Sequence, residues 1–458
     1  MRSRFSIFLI ILGLACLWGA ARVHQSLLDW RVAHGRESYA ALDQSPPLVV
    51  FTTVALGGFR GMIADLLWMR AIRLQEQNKV FEMAQLADWI AKLEPRFTTV
   101  WAFNAWNLAY NISILFPDPE DRWRWVNAGI RLLRDEGLKY NPHTAALYRE
   151  LGWLYQHKIG FYMDPAHIVY KWKLVQEMAG LFDGPRPDYR VARQDSRLLR
   201  LKEEYKLDPA VMEQIEREYG PLDWRLPATH ALYWSYRGCR VAVSAREKLA
   251  CEHMLCQCLA ESFRHGRLIL DPRTGLYLAA PNLDILPRVV QAYEEALRGY
   301  PDEKILIFSY ASFLGEATLV LFAYGRLEAS REVYRKLSGL VPAGAAPSFE
   351  DFLLGCLQGV FEDPPLADAV ALVEGFLVQH YSLAAMGDEA RAAAWNRLAG
   401  LLWERVLAVC PTMERWDRFG LAPLEVMRRE AVRRAIAEAP DAGTAARLLL
   451  LQLGDGRD

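Results

Sequence analysis

Long runs of one charge are missing from this sequence. Its 54 Lys and Arg stand against 55 Asp and Glu, and no basic stripe of the kind a phosphate backbone demands is present, which argues against a nucleic-acid partner. Cysteine is sparse. Cys16, Cys239, Cys251, Cys256, Cys258, Cys356 and Cys410 do not make the dense, regular framework of a disulfide-stapled domain. Clear alternating strand runs are almost absent, so helical segments must carry the core. A complete nucleotide-binding turn is lacking as well. Gly58 and Gly61 open a helical stretch, but Leu56 stands where the dinucleotide fingerprint needs glycine, and no second strand–helix unit succeeds it. No cofactor is expected.

The sequence is rich in apolar and aromatic residues. Hydrophobic residues make up 52% of the 458, with 15 Trp, 19 Tyr and 19 Phe, which excludes a disordered chain. The length exceeds one compact core and implies two or three domains or an elongated array. Apolar residues recur at helical spacing over Ala64–Gln77, Phe81–Leu93, Asp121–Leu138, Ala145–His157, Arg197–Tyr219 and Ala392–Val409. Pro95, Pro142, Pro301, Pro342 and Pro411 each close or follow such a stretch, where a missing N–H does least harm.

The amino-terminal segment Phe5–Ala21 carries no charge, with Arg2 and Arg4 before it and Arg22 after it. It approaches the minimum spanning length and is expected to be an uncleaved anchor; Gly19-Ala20-Ala21 would serve as a cleavage site in the alternative signal-peptide reading. The flanking charge puts the amino terminus inside and the body outside the cytoplasm. Leu48–Phe59 is too short to span and is expected to be interfacial or buried. Ile305–Gly325 is long enough, but Glu316 near its middle suits a buried repeat helix better than a lipid-facing one.

Beyond Pro142, the residues Tyr148, Leu151, Gly152 and Tyr155 fall in a recognisable register. It resembles the first helix of a tetratricopeptide repeat: a large aromatic, then Leu-Gly, then Tyr, after the proline of the preceding repeat. A small residue such as Gly152 lets two helices approach while large neighbours fill the space around it. The same register gives Trp101 and Ala105 after Pro95, and Ala311 after Pro301, with Tyr334 facing inward on the next helix. Leu48–Ser113, with its GGFRG, ADWIAKLEPRF and WAFNAWNLAYNIS, and the later GPLDWRLPATHALYW also resemble a group of membrane-anchored repeat proteins of bacteria. That resemblance implies a bacterial envelope protein and no reaction.

The expected fold is therefore all-α: tetratricopeptide-like helical hairpins forming an α-solenoid, preceded by one transmembrane helix. The expected divisions are a signal-anchor at 1–22, a juxtamembrane region at 23–63, a first helical block at 64–182, and a charged, Pro-rich insertion at 183–230. A second helical block at 231–342 and a C-terminal helical region at 343–458 complete the chain. The repeat register puts Trp106, Arg149, Trp153 and Gln156 on a groove that would hold a protein partner. Two polar clusters compete with that groove as candidate sites. Cys251, His253, Cys256 and Cys258 do not converge on one point of a helix, so buried thiols are expected and no metal. Asp223, Arg225 and His230 suit a capping loop better than acid–base chemistry, since no second carboxylate stands at a convincing spacing. The expected function is a membrane-anchored scaffold on the periplasmic side of a bacterial inner membrane, binding protein partners and catalysing nothing. The alternative is a glycan-active hydrolase or lyase on a helical toroid, using the Asp223 loop.

Overall fold

The computed structural model of the chain describes residues 59–77, 79–190, 195–271, 276–342, 345–364, 366–410 and 421–454, with a few single positions before residue 27. The anchor Phe5–Ala21 and the apolar run Leu48–Phe59 fall, almost entirely, outside the described residues. The rest is overwhelmingly helical. In order, the helices are α1 Phe59–Glu76, α2 Val80–Leu93, α3 Thr98–Trp106, α4 Pro119–Arg131, α5 Ala145–Trp153, α6 His167–Ala179, α7 Ser196–Glu204 and α8 Pro209–Tyr219. They continue with α9 Pro227–Val241, α10 Ala245–His265, α11 Leu286–Gly299, α12 Lys304–Ala323, α13 Leu327–Ser338, α14 Phe349–Glu362 and α15 Leu366–Ala385. The last three are α16 Glu389–Val409, α17 Leu424–Ala437 and α18 Ala442–Gly454. Short turns return the chain so that α1 packs on α2, α9 on α10, α12 on α13, and α15 on both α16 and α17.

Two compact units result, Met1–Leu115 with Asn127–Pro142, and Phe116–Val126 with His143–Asp458. In the first, Ala71 and Leu74 of α1 meet Met83 and Leu86 of α2, with Leu67, Val80 and Phe103 around them. Trp101 is buried and donates from Nε1 to the Pro95 carbonyl at 2.8 Å; Asn141 Nδ2 donates to the same oxygen at 2.8 Å. Ala105 is buried against Gly129, where a Cβ would stand 2.7 Å from the Ala105 carbonyl oxygen. Ala105 thus sits at a tight contact between α3 and the end of α4, and Trp101 packs beside Gly137 just beyond it.

In the second unit Gly152 lies against α9 and α10. A Cβ there would be 3.0 Å from Met254 Sδ, 3.2 Å from the Ala231 carbonyl and 3.3 Å from Ser235 Oγ. Tyr148, Leu151 and Tyr155 are buried around it, with Tyr148 tilted on Trp234 and Tyr155 stacked on His230. Tyr334 of α13 is buried between Phe349 and Phe352, and its hydroxyl donates to the Pro347 carbonyl. Ala311, in contrast, is half-buried. The close approach of α12 and α13 falls instead where Ser330 Oγ donates to the Thr318 carbonyl at 2.7 Å, two turns further along α12. The added length of α12 moves the contact away from the repeat register.

Three helices carry a wide turn at their C-terminal ends: Asn107–Ile112 after α3, Leu132–Gly137 after α4 and Leu154–Ile159 after α5 are π-helical. Each such turn adds a residue and rotates the side chains beyond it. A β-hairpin also departs from the all-helical expectation. β1 Arg267–Asp271 pairs antiparallel with β2 Leu276–Ala280, and Leu268 and Tyr277 pack on Val175 and Leu226. The insertion folds as α7 and α8 with N-caps from Asp195 and Asp208, Pro209 occupying the first turn of α8.

Among the described residues one helix, α12, is long and apolar enough to cross a membrane; in this structure about 44% of its apolar window is buried. Its Glu316 is held by Arg264 of α10. That ion pair gives the one carboxylate of the stretch a partner within the protein.

Candidate functional site

The second unit contains a cleft of about 530 Å³ whose walls come from seven elements and the loops beside them, Leu366 and Val370 of α15 among them. The π turn after α5 contributes Gln156, with Gly160, Phe161 and Tyr162 just beyond it. α6 contributes His167, Ile168 and Lys171; the start of α9 contributes Pro227 and Ala228. α10 supplies Glu261, Arg264 and His265; β2 supplies Tyr277, Leu278 and Ala279; α12 supplies Glu316. This size is in the range of cavities that hold ligands or short peptide segments. Two further clefts adjoin it. One of about 420 Å³ shares Gln156, Phe161, Glu261 and Arg264 and is bordered by Tyr293, Phe308 and Ser312. The other, about 460 Å³, shares Arg264 and Glu316 and is lined by Leu319, Val320, Phe352 and Leu372. Arg264 belongs to all three, so they meet at one side chain.

The charges at that meeting point are ordered by pairing. Arg264 Nε donates to Glu316 Oε2 at 2.6 Å and its Nη1 to Glu261 Oε2 at 3.4 Å. His265 Nδ1 lies 2.9 Å from Glu261 Oε1, and Ser312 Oγ donates to Glu316 Oε1 at 3.2 Å. Burial would raise the Glu261 carboxyl, but His265, Arg264 and Lys171 together outweigh it and bring it down to about 2. Lys171 has a different setting. Burial pulls its ammonium down to about 8 while Glu261 pulls the other way. Among the described residues no carboxylate comes within ion-pair distance of it.

The cleft mouth is aromatic. Trp153 stacks on His157 at 4.6 Å, His157 on Phe161 at 5.7 Å, and Phe161 on Tyr162 at 4.5 Å. Phe308, on the neighbouring cleft, is 71% exposed. A buried network braces the loop that carries Phe161 and Tyr162. Asp164 accepts from Lys158 Nζ at 2.5 Å, from Tyr170 hydroxyl at 3.0 Å, from Arg122 Nη1 at 3.2 Å and from the Ala166 amide at 2.9 Å. Burial raises the Asp164 carboxyl, and the hydrogen bond and charge of Lys158 more than reverse it, so the group stays ionised. The rim is therefore held on a fixed loop.

Of the four residues expected on a groove, Gln156 alone lines these clefts. Arg149 is half-buried and paired with Glu150 at 2.7 Å, and Trp153 is exposed. An uninterrupted α-helix would put Arg149, Trp153 and Gln156 on one face; the π turn beginning at Leu154 rotates Gln156 away from the other two. Trp106 is exposed on the first unit and stacks on Tyr110 at 5.5 Å.

The other clusters resolve into packing. Asp223 accepts from Arg225 Nε at 2.9 Å and Nη2 at 2.6 Å, and its carbonyl accepts from Thr229 Oγ1 at 2.8 Å. His230 is fully buried, with Nε2 2.9 Å from the Trp224 carbonyl and its ring under Tyr155. None of Asp223, Arg225 and His230 lines the clefts. Cys251 Sγ lies over Gly238, Cys258 is hydrogen-bonded with Ser235, whose hydroxyl donates to the Ala231 carbonyl, and His253 Nε2 meets Ser309 Oγ at 2.9 Å. Among the described residues no group of three or more His, Cys, Asp or Glu side chains is placed to hold a metal ion.

Lys171, Glu261, Arg264, His265 and Tyr277 are functional candidates that sequence reasoning passes over. One signal is available. Glu261, Arg264 and His265 fall at i, i+3 and i+4 near the end of α10, a spacing that puts them on one face. Tyr277 has none, because it depends on the hairpin. The chain matches no protein-family model and no curated protein.

Proposed function

We propose that this chain is a membrane-anchored helical-repeat scaffold that holds an extended segment of a protein partner along the three joined clefts of its second unit. The observation that carries this reading is the meeting of the clefts at Arg264, with aromatic side chains at the rim and an apolar chamber beyond Glu316. A small metabolite would fill one chamber. An extended chain fills consecutive ones, placing alternate side chains in each and leaving its backbone to the polar floor. Exposed aromatics such as Phe308 and Phe161 are the residue types that anchor interfaces.

The tetratricopeptide-like reading of the helix pairs belongs to this proposal and is supported by the packing of Tyr148, Leu151, Gly152 and Tyr155. The bacterial inner-membrane location, with the body on the periplasmic side, is supported by the uncharged Phe5–Ala21 and its flanking arginines. Secretion, surface-polymer export and cell-wall assembly are the settings such a scaffold suits.

A photo-crosslinking amino acid at position 308 tests the groove in membranes of the source cell. The expected result is one discrete adduct that is lost from a chain also carrying Phe161→Glu. A probe at Val243, which is 91% exposed and away from the clefts, should give none. Equal labelling from both positions, or no adduct from either, removes the groove from the proposal.

A further inference from the structure

The formal charges that line the cleft balance, Lys171 and Arg264 against Glu261 and Glu316, but they are not all paired. Arg264 is shared by Glu316 and Glu261, and Glu261 is also engaged by His265. His167 of α6 is buried on the same wall. Lys171, half-buried and drawn to Glu261 through space, remains as the cation that no carboxylate among the described residues approaches within ion-pair distance, although it lines a ligand-sized space. A half-buried charge outside any ion pair is only partly compensated, and a ligand that brings the opposite charge completes it.

We propose that Lys171 receives the C-terminal carboxylate of the partner segment, fixing the end of that segment in the cleft; this deepens the groove reading above and rests on it. The chemistry of the walls selects the group. Glu261 and Glu316 line the same cleft and repel a second negative charge, so a monoanionic carboxylate fits where a phosphate dianion does not. Ile168, Leu226, Pro227 and Leu278 line the space beside Lys171 and give the terminal residue's side chain an apolar seat. Gln156 supplies an independent indication that the ligand is a peptide. Its Oε1 is buried with no hydrogen-bond partner among the described residues, and a backbone N–H is the donor that an extended chain brings to such an acceptor.

At neutral pH the ammonium is largely charged, since burial lowers it only to about 8. It is then ready to pair with a carboxylate without a prior protonation step. The pair would be charge-assisted and partly shielded from water, the setting in which such bonds are strongest.

The test uses the full chain in detergent and two octapeptide libraries free of Asp and Glu, one with free C-termini and one amidated. A third library is amidated and carries one internal Asp or Glu. Retained peptides are quantified by mass spectrometry on wild type, Lys171→Met and Lys171→Arg. Wild type should retain the free-C-terminus library about tenfold or more over the amidated one. Lys171→Met should abolish the difference, and Lys171→Arg should restore much of it. Circular dichroism establishes that each variant is folded. Equal retention of free and amidated peptides, unchanged in Lys171→Met, would overturn the carboxylate anchor while leaving the groove in place. Lys171-dependent retention of the acidic amidated library alone overturns the assignment to the C-terminus. If wild type retains none of the three, the groove reading falls, and the anchor with it.

Discussion

Lys171 and Glu261 line the same cleft, yet their ionisation has opposite consequences for stability, because burial prevails at the lysine and neighbouring charges prevail at the glutamate. The Lys171 ammonium falls from its ordinary 10.5 to about 8. Between those values the unfolded chain binds a proton that the folded chain does not, so this group makes stability rise as the pH rises through that window. Lys171→Met should therefore raise the thermal midpoint at pH 7 and flatten its dependence between pH 8 and 10.5, as followed by circular dichroism. A variant less stable than wild type at pH 7 would show that the amine has a partner that stabilises it. Glu261 runs the other way. Its carboxyl falls from 4.5 to about 2 because His265, Arg264 and Lys171 outweigh burial. The stability it contributes is present above about pH 4.5 and is lost as the pH falls towards 2. Glu261→Gln should shrink the acid-induced loss of stability in that window; an unchanged acid limb would mean that other carboxylates set it.

At the scale of single elements, Gly152 permits the approach of α5 to α9 and α10. Gly152→Ala forces the new Cβ towards the Ala231 carbonyl, which is backbone and yields little. A destabilisation of about 1–3 kcal/mol in urea unfolding is expected, and a neutral result would mean that the helices separate freely. A second joint lies where α15 and α17 meet the hairpin. Glu374 is buried, accepts from Tyr324 hydroxyl at 3.0 Å and Arg267 Nη2 at 2.5 Å, and faces Arg434, whose guanidinium lies over the Tyr324 ring at 4.4 Å. Glu374→Ala leaves Arg434 buried without that charge and should cost about 3–5 kcal/mol by the same measurement.

Much of this level is legible in the sequence, and the exceptions have physical causes. Amphipathic spacing marks α2, α5 and α16 to within a few residues, because each buries one stripe. Asp208-Pro209 announces the start of α8 because its cap is local. The π turns are not legible, since an added residue in a helix leaves the apolar pattern almost unchanged while rotating every side chain beyond it. That is why Gln156 parts from Arg149 and Trp153. The hairpin is hidden for another reason. Leu268, Ile269 and Leu270 form a continuous apolar run with no alternation, and a run of that length is indistinguishable from buried helix by period alone. Tyr277 and the wall it builds go unseen with it.

The whole chain joins an uncharged amino-terminal segment to two helical units whose charges nearly balance, 54 basic against 55 acidic residues. Balanced net charge gives little long-range steering towards nucleic acid or anionic lipid, so the proposed attachment to a membrane would rest on the amino-terminal segment. Removing residues 2–22 should move the protein from the carbonate-resistant membrane fraction to the soluble one. Retention in the membrane after that deletion would assign attachment to another part of the chain. Charge and hydropathy along the sequence are enough to mark out the proposed anchor. The place where the body would bind is not legible in that way, because its residues come from the π turn after α5, from α6, α9, α10, β2, α12 and α15, which are brought together only by folding.

Hydrogen exchange of the full chain in native membranes, compared with the same chain purified alone in detergent, tests the groove most directly. With a partner segment bound, exchange should slow at residues 156–171, 257–265, 276–280 and 308–320 and remain unchanged at α16 and α18. Identical exchange in the two states, or slowing confined to the Asp223–His230 loop, would contradict it.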